Sequence, residues 1–283
     1  MSNNRSIQRT GTQSDSLASL IQKSESLLTQ VVPKHLDPGR LTRIAIGALK
    51  TTPNLADCTQ ASVIGAVIQA SILGLEVNTP LGHAYLVPYK TRGRDGGSDY
   101  YMCQLIPGYK GYVHLARQSG ARLIGRAVFE GDEFEVTYGT NESIRHRPIG
   151  VREPKGLRAT YAISTDTSGI VQFKDLTLDE INQRKQRSRA RSGPWVTDLV
   201  PMAIKSAVRS LAPWLPLAPT LQVAAELEEA AERRGSQFAA LDVRALEGIE
   251  AAGLQVPQDE PEPDQEPGQS ASPFTRDREP GED

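Results

Sequence analysis

The stretch Leu105–Arg126, LIPGYKGYVHLARQSGARLIGR, sets Gly108, Gly111, Gly120 and Gly125 among Tyr109, Lys110, Tyr112, Arg117, Arg122 and Arg126. Pro107–Gly108 breaks the extended run before it. Tyr112, Val113, Leu115 and Ala116 then recur at helical spacing, and Gly120 stands where a left-handed C-terminal cap belongs. A short helix with one apolar face is therefore expected. Its first turn carries Tyr109 and Lys110, so unpaired N–H groups and the positive dipole end lie beside an ammonium, a geometry that favours a phosphate. Tyr112 is assigned to the core. A backbone free to bend beside aromatic faces and cations suits a polyanion with bases attached.

Working outward, the residues before this stretch read as helices and then strands. Residues 1–14 are polar and expected to be disordered. Leu17, Leu20, Ile21, Leu27, Leu28, Val31 and Val32 predict an amphipathic helix over 16–31 that needs a partner surface, in a self-assembling protein a neighbouring subunit. Asp37–Pro38 marks the cap and first position of a second helix running to about Lys50. A third starts near Asp57 or Thr59, carries Val63, Ile64, Val67, Ile68, Ile72 and Leu75, and ends near Gly74. His83–Lys90 reads as an edge strand because Pro88 is tolerated only there, and Tyr100–Ile106 follows a loop rich in Gly, Asp and Arg.

Beyond it, Ile124–Glu130, Phe134–Tyr138, Arg158–Thr165 and Gly169–Leu176 read as strands, the last two joined by a turn at Asp166–Gly169. The fold class is α+β: an antiparallel-rich sheet flanked by helices. A helix from Leu178 dissolves into QRKQRSRARS, where Arg184, Lys185, Arg187, Arg189 and Arg191 meet no acid before Gly193–Pro194–Trp195. A phosphate clamp beside an aromatic platform competes there with a solvated loop. The helix Asp198–Leu211 places Lys205 and Arg209 one turn apart on one side. Helices are expected over 220–234 and 237–252, and the Pro- and acid-rich 256–283 is compositionally disordered.

The formal net charge of −2 averages two unlike parts. Up to residue 225 there are 27 basic and 18 acidic residues; from Glu226 onward there are 5 and 16. A basic body with an acidic tail fits a nucleic-acid binder whose tail meets other proteins or competes for the basic surface; a merely solubilising tail is the plainer alternative. Two cysteines, Cys58 and Cys103, without a CxxC imply neither a disulfide framework nor a zinc site and fit a reducing cytoplasm. There is no signal-peptide core and no apolar run of membrane-spanning length. No phosphate-cradling G-x-x-x-x-G-K-[ST] occurs, the four His residues form no ligand-spaced cluster, and no Ser or Cys nucleophile has motif support. Glu130, Asp132, Glu133 and Glu135 could hold magnesium in a nuclease, against the simpler reading of a polar turn between strands.

In order along about residues 55–212, the chain resembles the RecT-type single-strand annealing proteins of phages. The matching pieces are Ala61–Ser62 through Leu73–Gly74–Leu75, Gly82-His-Ala-Tyr-Leu-Val-Pro-Tyr89, Gly108-Tyr-Lys-Gly111, Leu115-Ala-Arg and Ser119–Gly120. Val128-Phe-Glu-Gly-Asp132, Tyr161–Ala162, Gly193-Pro-Trp195 and Met202-Ala-Ile-Lys205-Ser continue the set. The family commonly has Lys-Thr where this chain has Lys205–Ser206, which keeps the hydroxyl. The resemblance implies an ATP-independent protein of the bacterial host cytoplasm that coats single-stranded DNA, forms homo-oligomeric rings or helical filaments, and anneals complementary strands. It implies a core over 15–219 that binds DNA and oligomerises. The helical segment 220–255 would recruit an exonuclease or a host single-strand-binding protein, ahead of the acidic tail.

In that setting Lys110, Arg117, Arg122, Arg126, Arg184, Lys185, Arg187, Arg189, Arg191, Lys205 and Arg209 become phosphate contacts, giving salt-sensitive binding by counterion release. Tyr109 and Trp195 become contacts to bases or sugars of the single strand or the annealed duplex. No nucleotide cofactor is expected, and magnesium dependence stays open. The rival readings are a metal-dependent nuclease built on Glu130–Glu135 and a DNA-packaging scaffold that assembles without speeding annealing.

Overall fold

Thr59 opens and Gly74 ends the helix on which the other layers are assembled. The computed structural model describes residues 4–33, 36–93, 98–187, 193–215, 219–232 and 237–255. The expectations for Arg189, Arg191 and the tail from residue 256 lie outside those residues. The order is α1 (Asn4–Lys23), α2 (Glu25–Val31), α3 (Pro38–Thr51), α4 (Gln60–Leu73), β1 (Ala84–Thr91), β2 (Tyr100–Pro107), α5 (Tyr109–Gln118) and β3 (Arg122–Phe129). There follow β4 (Glu133–Thr137), β5 (Ser143–Arg147), β6 (Leu157–Thr165), β7 (Val171–Thr177), α6 (Leu178–Arg187), α7 (Pro194–Thr197), α8 (Leu199–Leu211), α9 (Pro219–Glu232) and α10 (Val243–Ala251).

Local chemistry explains several boundaries. The Asp37 side chain accepts the Gly39 N–H at 3.0 Å, with Pro38 at the first helical position, so α3 starts where expected; such a cap contributes about 1 kcal/mol. Helix α4 is apolar on nearly all sides and buried on nearly all sides, and Gly74 ends it in the left-handed region at φ 71°. Helix α1 is described from Asn4, well before the expected start near residue 16, and α2 follows a break at Ser24. The partner surface for this amphipathic segment is intramolecular: Leu17, Ile21 and Leu28 are fully buried where α1 and α2 meet α3 and α4.

The strands form three antiparallel sheets rather than one. β1 pairs with β2, β3–β6–β7 make the central sheet, and β4 pairs with β5 as a separate hairpin. Strand β5, SIRHR, went unanticipated because it contains a single aliphatic residue. Only Ile144 and His146 turn inward, against Phe134 and Tyr161. One face of the central sheet is covered by α8, with Thr160 donating to the Ala203 carbonyl at 3.2 Å.

The expected boundary near residue 219 is not a break in packing. Helix α9 lies on β2 and α5, burying Leu221, Ala224 and Leu227, and α10 lies on α4, burying Ala245 and Ile249. Gln237 caps the open edge of β2. Its Oε1 accepts the Leu105 N–H at 2.7 Å, and its Nε2 donates to the Leu105 and Leu227 carbonyls at 3.0 and 2.6 Å. A side-chain amide thus takes the place of a neighbouring strand. Ending the chain after Gln255 should leave the thermal unfolding midpoint unchanged. Ending it at residue 218 should lower the midpoint by about 10 °C or more, or prevent folding, because Leu105 loses both partners and the α9 seat is bared.

Candidate nucleic-acid interface

At the start of α5 two chain segments touch through backbone. The Gly108 N–H donates to the His83 carbonyl at 2.9 Å. A β-carbon on Gly108 would lie 2.3 Å from the Gly82 oxygen, and one on Gly111 would lie 2.0 Å from the His83 oxygen. Only glycine permits this approach. It brings the exposed side chains of Tyr85 and Lys110 together around Gly82: the Tyr85 hydroxyl stands 3.1 Å and Lys110 Cδ 3.6 Å from where its β-carbon would be. Tyr85 was not among the expected contacts, although it alternates with the buried Ala84 and Leu86. The His83 ring stacks on His114 with centroids 4.4 Å apart, and burial lowers its pKa from the ordinary value.

Tyr109 is half-buried and turned to β3, its phenol oxygen accepting the Gly125 N–H at a long 3.4 Å. A β-carbon on Gly125 would meet Ile204 Cγ2 of α8 at 2.5 Å, so Gly125 faces α8. Strand alternation therefore sets Arg122 and Arg126, both exposed, on the opposite face of the central sheet. Arg117 is exposed on the last turn of α5. The cations expected of this stretch are thus distributed over α5 and over the far face of β3.

At the end of α6, Lys185 and Arg187 are exposed and Arg184 is half-buried. Burial, then the nearby Arg209 charge, lowers the Arg184 pKa from its ordinary value. Trp195 differs from the platform expected of it: it is 5% exposed, packed into the core from α7. The indole belongs to the core. The exposed tryptophan is Trp214, at 70%, in the 3-10 turn after α8.

Lys205 and Arg209 also differ from expectation. They share one side of α8, but that side faces α9. Lys205 Nζ lies 2.9 Å from Glu228 Oε1, and Arg209 Nη1 lies 3.6 Å from Glu228 and 2.6 Å from Glu232. The Tyr112 hydroxyl donates to the other Glu228 oxygen at 2.8 Å. Burial, reinforced by Glu228, pushes the Tyr112 pKa well above its ordinary value, so the phenol keeps the proton it donates. Burial alone would lower the pKa of Arg209, but the pull of Glu228 and the ion pair with Glu232 outweigh it and raise it. Spacing by four residues showed that the cations share a face, not which partner the face meets.

The carboxylates proposed for magnesium do not converge. Asp132 is a buried structural acceptor: Oδ1 takes the Ile149 and Gly150 N–H groups at 2.8 and 3.0 Å, and Oδ2 takes Phe129 N–H at 2.9 Å. Its Oδ2 also lies 3.1 Å from His146 Nε2, whose Nδ1 meets the Tyr161 hydroxyl at 3.0 Å. Glu133 pairs with Arg147 at 3.5 Å on the exposed side of the hairpin. Among the described residues no three His, Cys, Asp or Glu side chains form a metal-ligating group, and no helix is long and apolar enough to cross a membrane.

The α+β scaffold presents exposed cations from α5, from one face of β3 and from the end of α6. Residues 39–238 match the RecT family. A 205-residue stretch, 71% of this chain, is 38% identical to Protein RecT of Escherichia coli strain K12, covering 75% of that protein. The chain belongs to the RecT family, and with it to the proteins of DNA recombination and strand annealing. The matched span reaches Phe238, so it includes α9 and the Gln237 cap.

Three backbone N–H groups, with His146, depress the Asp132 pKa far below its ordinary value. A depressed carboxylate stabilises the fold above its unfolded pKa of about 3.9 and loses that contribution as pH falls below it. Asp132→Asn should lower the unfolding midpoint at pH 7, and the gap between variant and wild type should narrow as pH drops from 5 towards 2. Thermal unfolding across that range reads both.

Proposed function

We propose that the protein binds single-stranded DNA without a nucleotide cofactor, assembles on it as a homo-oligomer, and anneals complementary strands in phage-type recombination within the bacterial cytoplasm. Family membership supports the annealing role. The observation that carries the DNA contact is that Lys110, Arg117, Arg122, Arg126, Lys185 and Arg187 are exposed, with no ion pair among the described residues. Unneutralised cations displace the counterions condensed on a phosphate backbone, and the released ions drive binding without regard to sequence. Arg189 and Arg191 extend the α6 group in sequence and join the proposed set.

Tyr85 beside Lys110 supplies an exposed ring on which a base can stack, and the half-buried Tyr109 joins the proposed contacts; stacking is worth about 1–3 kcal/mol per base and tolerates any sequence. Specificity then comes from pairing between the strands. Charge neutralisation lowers the repulsion between two backbones, and assembly along a strand raises the local concentration of complementary bases. The protein need not hydrolyse anything. Partner recruitment, of an exonuclease or a host single-strand-binding protein, falls to the C-terminal region, where the acidic residues beyond Gln255 offer charge to a basic partner.

The test is equilibrium binding of a fluorescent oligothymidylate as a function of salt. Arg122→Ala with Arg126→Ala should weaken binding at low salt and reduce the slope of log K against log salt by about 1.4, two single-strand phosphate contacts at about 0.7 each. An unchanged slope would remove the outer face of β3 from the DNA path.

A further inference from the structure

Helix α9 ends in an acidic turn seated on a cationic row. Glu228 and Glu232 are four residues apart on α9, Lys205 and Arg209 four apart on α8, and the two pairs meet at 2.6–3.6 Å. Four residues of helix rise about 6 Å, so the carboxylates present negative charge at intervals comparable to those of an extended phosphodiester strand. The balance is uneven. Arg184, half-buried and without an ion pair or hydrogen bond among the described residues, lies within electrostatic reach of Arg209 and Glu232, as of Arg187 and Glu180 on its own helix. Lys205 and Arg209 thus meet Glu228 and Glu232 two against two with Arg184 as a further cation near them, and Arg209 Nη1, though within ion-pair distance of both carboxylates, has no well-aligned hydrogen bond.

The acidic turn is also the part of α9 held least by apolar packing. Leu221, Ala224, Ala225 and Leu227 are buried upstream of it, whereas between Glu228 and Glu232 the buried apolar residue is Ala231. The chain is pinned on either side: the Leu227 carbonyl and Leu105 are both held by Gln237. Lifting residues 228–232 would leave the body of α9 in place. At the rim Glu232 is already 39% exposed by its side chain.

We propose that this turn is a displaceable strap, and that Lys205, Arg209 and Arg184 form a latent phosphodiester site which Glu228 and Glu232 occupy in the closed molecule. Resting on the DNA-binding reading above, the inference adds that an incoming strand meets Arg184 first, replaces Glu232 and then Glu228, and gains two cations that are otherwise buried. Such a site engages only after the surface contacts have raised the local phosphate concentration.

Two measurements on the full chain test it. Amide hydrogen exchange with saturating oligothymidylate should run about tenfold faster over residues 226–232 than without it, while β2 and α4 stay as protected as before. Lys205→Met with Glu228→Gln removes one charge of each sign, while the amide oxygen can still accept from the Tyr112 hydroxyl and Arg209 keeps Glu232; it should lower the salt slope of binding by about 0.7. Unchanged or slower exchange in the strap with DNA bound, together with an unaltered slope in the double variant, would show the network to be purely internal and overturn the proposal. Loss of oligonucleotide binding by the wild-type protein itself, read by fluorescence anisotropy in the same samples, would instead overturn the DNA-binding reading.

Discussion

Glu228 is the residue through which three helices are held together. One carboxylate, 7% exposed, accepts from the Tyr112 phenol of α5 and pairs with Lys205 and Arg209 of α8 from a position on α9, with Glu232 supplying the second negative charge. A buried charge is tolerable only when its partners are present, and removing one member of such a set typically costs about 3–5 kcal/mol. The last turn of α9 is therefore held by electrostatics, while the body of the helix rests on β2 and α5 through Leu221, Ala224 and Leu227. The family match, which runs through this helix, agrees with counting it as part of the core.

The same network divides the cations of the body into two populations. Those of α8 are neutralised inside, where salt screens them weakly. Those of α5, the outer face of β3 and the end of α6 stand in water, free to exchange small ions for a polyanion. A nucleic-acid binder needs the second population to capture a strand at all, because unpaired surface charge gives both the long-range attraction and the release of counterions.

Much of the local architecture was legible because it is written in short-range chemistry. Asp37–Pro38, Thr59, Gly74, and Gly108 with Gly120 mark helix ends through caps and left-handed positions that depend on a few neighbouring atoms. The burial of Tyr112 followed from helical spacing, and the RecT resemblance from an ordered set of motifs. Facing was harder. Arg122 and Tyr109 are close in sequence but lie on opposite faces of one sheet, which period-2 alternation could have shown once the strand was set to start at Arg122. The inward turn of Trp195 and the capture of Lys205 and Arg209 by α9 depend on tertiary contacts between residues distant along the chain. The available signal was the matching four-residue spacing of Glu228 and Glu232. Strand β5 escaped because its burial rests on a histidine held by Asp132, not on an aliphatic pattern.

The central claim, that this chain pairs complementary strands by charge neutralisation and stacking alone, is tested most directly by fluorescence annealing of two complementary oligonucleotides without any nucleotide, with the products then run on a denaturing gel. The account predicts accelerated pairing with both strands intact. Pairing no faster than in buffer, or shortened strands, would contradict it.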